Sequence, residues 1–340
     1  MSSKFTRPTI TLEHILILGL VLLALTATLV LIRDMTDPGV EIAAASTFTP
    51  TSISTPVLTP SPGASNQPVG QIVFTCQVTG QQGQDQICLI NADRSNFRQL
   101  TGDLNHSHIF PSFAPDGGRV VFVSDRTGTF EIYELDFAGE LQQLTGGLGD
   151  LFAPEISPDG EVIMFTNSAD PSASSIWLMD RDGSKPRQIS ILPGEGAWDP
   201  VWSPDGSQIL FASGSQERPQ LYIMNSDGSD VRQITDMDGL HGRIDWSPDG
   251  STLATYQGEE WLNEIILLNT TGTEIRQITN GVNNMSPSFS PDGGWITFVS
   301  YMDNLRNEDG CEIYFMRIDG SDIRRLTDND YCDWQPRWGP

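Results

Sequence analysis

Beyond the N-terminal apolar run the chain carries three histidines, His106, His108 and His241, and imidazoles beside carboxylates are ligands for a divalent metal. His106 and His108 alternate within one interblade loop, residues 102–110, a spacing that could chelate. Asp199, Asp245, Asp330 and Asp333 offer a second chemistry, oxygen ligation of Ca²⁺. The alternative for these aspartates is structural: each carboxylate caps backbone N–H groups and holds neighbouring elements in register. No EF-hand loop and no structural-zinc spacing of Cys and His is present. A Gly-x-Ser-x-Gly nucleophile elbow is also missing, which removes the serine-peptidase reading. The four cysteines, Cys76, Cys88, Cys311 and Cys332, are an even number suited to an oxidising compartment. Cys76 ends one strand and Cys88 lies in the next, a cross-strand pair, which leaves Cys311 and Cys332 to each other.

Repeats of about 44 residues position all of these groups. The turn Ala114-Pro115-Asp116-Gly117 returns as Ser-Pro-Asp-Gly at 157–160, 203–206, 247–250 and 290–293. Proline sets the first central φ, aspartate bonds back to the backbone and glycine takes the left-handed position. Alternating strands follow each turn, beginning with Val120 to Ser124. A third element recurs as Ile132-Tyr133, Ile176-Trp177, Leu221-Tyr222, Ile265-Ile266 and Ile313-Tyr314. A fourth, typified by Arg98-Gln99-Leu100-Thr101, appears six times.

Four strands in each of six units predict an all-β, six-bladed propeller over residues 71–340. Residues 71–76 read as a second strand without its first, and 336–340 as a first strand without its second. Paired, they complete one blade and remove an open sheet edge. Phe113, Ile156, Trp202, Trp246, Phe289 and Trp338 occupy equivalent positions and are therefore expected in the core between blades. Function is expected in what does not repeat, above all the insertions at 77–86, 168–175 and 301–309. The loops from second to third and from fourth to first strands share one face, the channel mouth, and the three histidines and these insertions fall there.

This motif series, aromatic-Ser-Pro-Asp-Gly followed by Ile-x-Phe-x-Ser, Ile-Tyr-x-Met-x-x-Asp-Gly and Arg-x-Leu-Thr, resembles the TolB-type propeller repeat. The resemblance implies a propeller that binds protein partners, although a stalk and an apolar run stand where TolB has its α/β domain. Oligogalacturonate lyases are similar in repeat and use a histidine-lined metal site, so a metal-dependent polysaccharide lyase is the enzymatic alternative. It would require Ca²⁺ or Mn²⁺ on His106, His108 and His241; the binding-module reading requires no cofactor.

Residues 15–32 form an uncharged, mostly apolar run of a length that crosses most of a bilayer core. The run exceeds the hydrophobic region of a secretory signal, and the nearest small-residue site, Ala43-Ala44-Ala45, lies well past its end. Residues 13–33 are accordingly read as an uncleaved anchor, with Lys4 and Arg7 holding residues 1–12 in the cytoplasm. Residues 34–70, rich in Ser, Thr and Pro, read as a stalk that holds the propeller outside. Of the 44 acidic and 19 basic residues, only four and three precede Gln71, leaving a net charge of −24 on the remainder. Such a surface excludes nucleic acid as a partner and otherwise serves solubility. The expected protein is thus a single-pass, extracytoplasmic propeller that binds another envelope or extracellular protein, or a cell-envelope glycan.

Overall fold

The computed structural model describes residues 66–79, 84–170, 174–189, 196–215, 218–259, 261–273, 275–303 and 310–339. These form six four-stranded antiparallel sheets. The expected membrane helix at 13–33 lies outside the described residues, as does the stalk at 34–70 except for its last five positions. No helix among the described residues is long and apolar enough to cross a membrane.

The first strands, His108–Phe113, Leu151–Ile156, Gly196–Trp202, Asp245–Trp246, Asn284–Phe289 and Asp333–Gly339, touch one another in turn and close a ring around a central channel. Closure follows the pairing expected from the two chain ends. Gln71–Cys76 pairs with Asp333–Gly339, matching Ile72 to Trp338 and Cys76 to Asp333. The closing strand begins three residues before the expected 336 because it carries a bulge, with Gln335 at φ 52°. Below, this closing sheet is blade one and the others follow in chain order.

The repeated side chains serve repeated bonds. In the Ser157 turn, the hydroxyl donates to Asp159 (2.6 Å) and accepts from the N–H of Val162 (3.0 Å), while Gly160 sits at φ 80°. Turns at Ser203, Ser247 and Ser290 are built alike. The threonine of Arg-x-Leu-Thr is a second lock. Thr101, Thr145, Thr235, Thr279 and Thr327 each donate to a Gln or Glu at the start of the third strand and accept the next backbone N–H. Each lock holds the short fourth strand to the sheet.

One apolar cluster fills each of the six junctions between neighbouring blades. Trp202, Trp246 and Trp338 are 7%, 7% and 8% exposed and fill such junctions, so the equivalent aromatic positions are core. Burying each of these rings removes on the order of 150–250 Å² from water, more than a single isolated blade could cover.

Candidate functional site

Five of the first strands turn once through the left-handed region, at Phe110, Ala153, Asp199, Ser286 and Gln335, and in blade five the turn falls at Arg243, two residues before the strand, with φ between 48° and 58° throughout. None is glycine, and such backbone is unfavourable by roughly 1 kcal/mol or more per residue. The register shifts at five of these six positions, which marks a bulge that breaks the side-chain alternation and re-aims the residues lining the channel. Proline follows all of them except Arg243.

Charges from several blades gather at this level. Arg337 Nη1 donates to the Ile244 carbonyl at 3.1 Å and lies 3.5 Å from the Asp245 carboxylate. Burial pushes the Glu155 carboxyl up to about 7, against the pull of Arg337 and with Asp245 adding to the rise. Burial likewise lowers Arg243 to about 10, and the nearby Arg337 adds to the effect. The Arg243 guanidinium lies over the Phe110 ring at 4.9 Å, and Phe110 meets Phe152 edge-on at 5.8 Å. Glu155, Arg243 and Arg337 do not stand out in the repeat pattern. For Glu155 and Arg337 the available signal was the position two before the turn's first residue, where Ser112, Glu155, Val201, Asp245, Ser288 and Arg337 include four charged or apolar types beside two serines.

Two of the singled-out aspartates act structurally here. Asp199 accepts the Arg243 N–H at 3.0 Å and Asp245 accepts the Phe289 N–H at 2.8 Å, each tying its blade to the next. Gly242 permits the first of these, because a Cβ there would lie 2.5 Å from the Asp199 carboxylate. Asp330 is exposed, whereas Asp333 is buried and accepts from the Asn329 amide at 2.7 Å. Burial, and after it the neighbouring Glu312 carboxylate, push Asp333 up to about 7.

The three histidines do not converge. His106 lies in the loop, 3.5 Å from Asp125 and 3.8 Å from Asp103. His108 begins its strand fully buried, edge-on to Phe122, with neither ring nitrogen hydrogen-bonded, and burial lowers it to about 4. His241 stacks on Tyr256 at 4.9 Å with Nε2 3.2 Å from the Gly258 carbonyl. No three His, Cys, Asp or Glu side chains among the described residues are grouped to hold a metal ion. The structure therefore does not bring together His106, His108 and His241, expected as a metal centre, or the four aspartates expected as a Ca²⁺ site: one ring is core, another is stacked, and two carboxylates cap backbone. Both cysteine pairs are joined as expected, Cys76 to Cys88 and Cys311 to Cys332.

At the mouth, loops of both kinds interlock: Asp125 N–H donates to Ser107, and Ser168 N–H to Asp150. Apart from Val69 and Leu104, the exposed large apolar side chains among the described residues fall into two groups. Phe97, Leu141, Val231, Ile275 and Ile323 occupy one repeated position, immediately before the outer-strand Arg-x-Leu-Thr register. Trp261 and Leu262 do not repeat; they are 50% and 67% exposed on the mouth loop of blade five, with Tyr301 of blade six edge-on to Trp261 at 5.3 Å.

Comparison with known proteins adds to this geometry. The family model described as the TolB beta propeller domain matches residues 139–307. An uncharacterized protein of Agrobacterium fabrum is 30% identical over 235 residues, covering 68% of this chain and 61% of that protein. A TolB homolog of Chlorobium luteolum is 31% identical over 189 residues, 54% of this chain and 32% of its own length. The chain thus spans less than two thirds of either relative. The crystal structure of TolB from Acinetobacter baumannii aligns with a TM-score of 0.67 at 22% identity, over 80% of this chain and 67% of that one.

Proposed function

We propose, from the premise that this chain is a six-bladed β-propeller homologous to the TolB family, that it is a non-catalytic binding module displayed outside the cell membrane. In this reading residues 13–33 anchor it, residues 34–70 give it reach, and the mouth face takes another envelope or extracellular protein or a cell-envelope glycan. The observation that carries the reading is the non-repeating apolar pair Trp261 and Leu262, left exposed on the mouth face beside Tyr301. A propeller buries its apolar residues between blades, so a half-exposed tryptophan outside the repeat, packed only at its edge on Tyr301, is not accounted for by the core. The apolar run at 15–32 and the two disulfides support the extracytoplasmic placement.

Photo-crosslinking in intact cells tests this. A photoreactive residue at position 261 is expected to yield a discrete adduct in the membrane fraction, and the same residue at position 231, on the repeated outer strand, none. Adducts from 231 alone would overturn the mouth-face reading. A soluble protein with no membrane-bound fraction would overturn the anchor.

A further inference from the structure

The mouth loops of blades four to six, on the face that carries Trp261 and Leu262, are predominantly acidic among the described residues. Asp236, Asp238, Glu259, Asp303, Asp328 and Asp330 are all exposed there. Arg218 and Arg325 stand among these acids, which already hold both. Arg218 bonds Asp236 at 2.7 Å and Asp238 at 2.6 Å. Arg325 bonds buried Glu312 at 2.7 Å and Asp328 at 2.9 Å, with Asp303 at 3.2 Å.

This charge differs in kind from that on the opposite face. There the aspartates of Ser-Pro-Asp-Gly accept hydrogen bonds from their own turns, as Asp205 does from Ser203 and Ser207, and the repeat accounts for them. On the mouth, Asp236 with Asp238 and Asp328 with Asp330 share a Thr-Asp-x-Asp run found in two blades and not in the other four, and Glu259 and Asp303 stand in loops without it. These acids place the apolar anchor site in a negative field, an arrangement that attracts a cation over distance and then grips an apolar group at contact.

Resting on the mouth-face reading, we propose that the occupant is a cationic peptide segment of a partner protein, with one apolar side chain seated on Trp261, Leu262 and Tyr301 and Lys or Arg residues facing these acids. Leu262, the more exposed of the pair, offers an aliphatic surface that suits an apolar side chain better than a hydroxyl-rich sugar. A polyuronate is repelled by the same field, which separates this site from lyase substrates.

Peptide-display selection from an unbiased library, on the full chain in detergent, tests the proposal, with W261A/L262A as the counter-target. Both side chains are exposed, so unchanged thermal unfolding of the variant will establish that its fold is intact. The expected winners carry Lys or Arg flanking one aromatic or aliphatic residue. They are expected to bind wild type about tenfold or more tightly than the variant and to weaken as salt rises. Neutral or acidic winners that still depend on Trp261 and Leu262 would overturn the cationic class and leave the mouth-face reading standing. Winners indifferent to the variant would overturn both. If no peptide is enriched, the peptide partner is overturned; neutral-glycan binding lost in W261A/L262A would then replace it at the same site.

Discussion

On the face opposite the mouth, four of the blades turn through Ser-Pro-Asp-Gly with the same serine and aspartate bonds, whereas the mouth loops vary in length and share no motif of that kind. One face records what every blade needs in order to fold, and the other what a single surface needs in order to bind. Two tryptophans illustrate the contrast. Trp246 repeats and is 7% exposed between blades four and five; Trp261 does not repeat and is 50% exposed on the rim. Trp246→Ala is expected to destabilise the propeller by about 3–5 kcal/mol through the cavity it leaves. Trp261→Ala should stay within about 0.5 kcal/mol of wild type and act on binding instead. Chemical unfolding of both variants measures the difference, and equal destabilisation would erase the distinction.

The closing seam belongs to neither pattern. Cys311–Cys332 ties the last complete blade to the closing strand and spans 21 residues, so C311A/C332A is expected to lower stability by about 3 kcal/mol. C76A/C88A, which opens a bridge of separation 12 within one hairpin, should cost less. Unfolding under oxidising conditions measures both. A larger loss from the second variant would show that the hairpin, not the seam, is the weak point.

Asp333 adds a pH term to the same seam. The folded chain keeps its proton up to about pH 7, whereas an unperturbed aspartate releases it near 3.8. Its contribution is therefore fully present below about 3.8 and is lost as the pH rises to about 7. Asp333→Asn keeps an acceptor for Asn329 and removes the buried charge. Its stability should exceed wild type by about 1–3 kcal/mol at pH 8 and converge with it near pH 4. His108, lowered to about 4, acts with opposite sign over part of this range, being stabilising above about 6.5 and losing that contribution as the pH falls towards 4. It is common to both proteins, so the difference between their thermal-unfolding profiles isolates Asp333.

The division between repeating and non-repeating residues also governs what was legible in the chain. Blade number, ring closure and the interblade aromatics follow from positions that recur in register, and the cysteine pairs from the strands that those positions define. His106 and His108 could not be told apart in the sequence because both read as residues of one interblade loop. The strand begins at His108, which turns inward against Phe122, while His106 remains in the loop. Glu155, Arg243 and Arg337 were hidden for a related reason. The bulges shift the side-chain period within each first strand, and period-two counting from the Ser-Pro-Asp-Gly turn cannot carry across a residue at positive φ.

The smallest effect lies on the regular face, where one blade departs from the rule. Ala114 stands where four other turns have serine, and Asp116 retains only its bond from the Gly118 N–H, at 2.9 Å. In the serine turns the hydroxyl both donates to the aspartate and accepts the N–H five residues on, which here belongs to Arg119. Ala114 is 1% exposed, and the equivalent Ser290 is accommodated fully buried with both bonds formed. Ala114→Ser should therefore gain one hydroxyl with both partners in place, stabilising by about 0.5–1 kcal/mol, and Ser203→Ala should lose a similar amount. Thermal unfolding of the two variants checks this. If Ala114→Ser destabilises, the second blade's turn is held by contacts of its own and the regular face is less uniform than its sequence; if it stabilises, the repeat's bonds transfer from blade to blade, and variation that serves no fold is confined to the mouth.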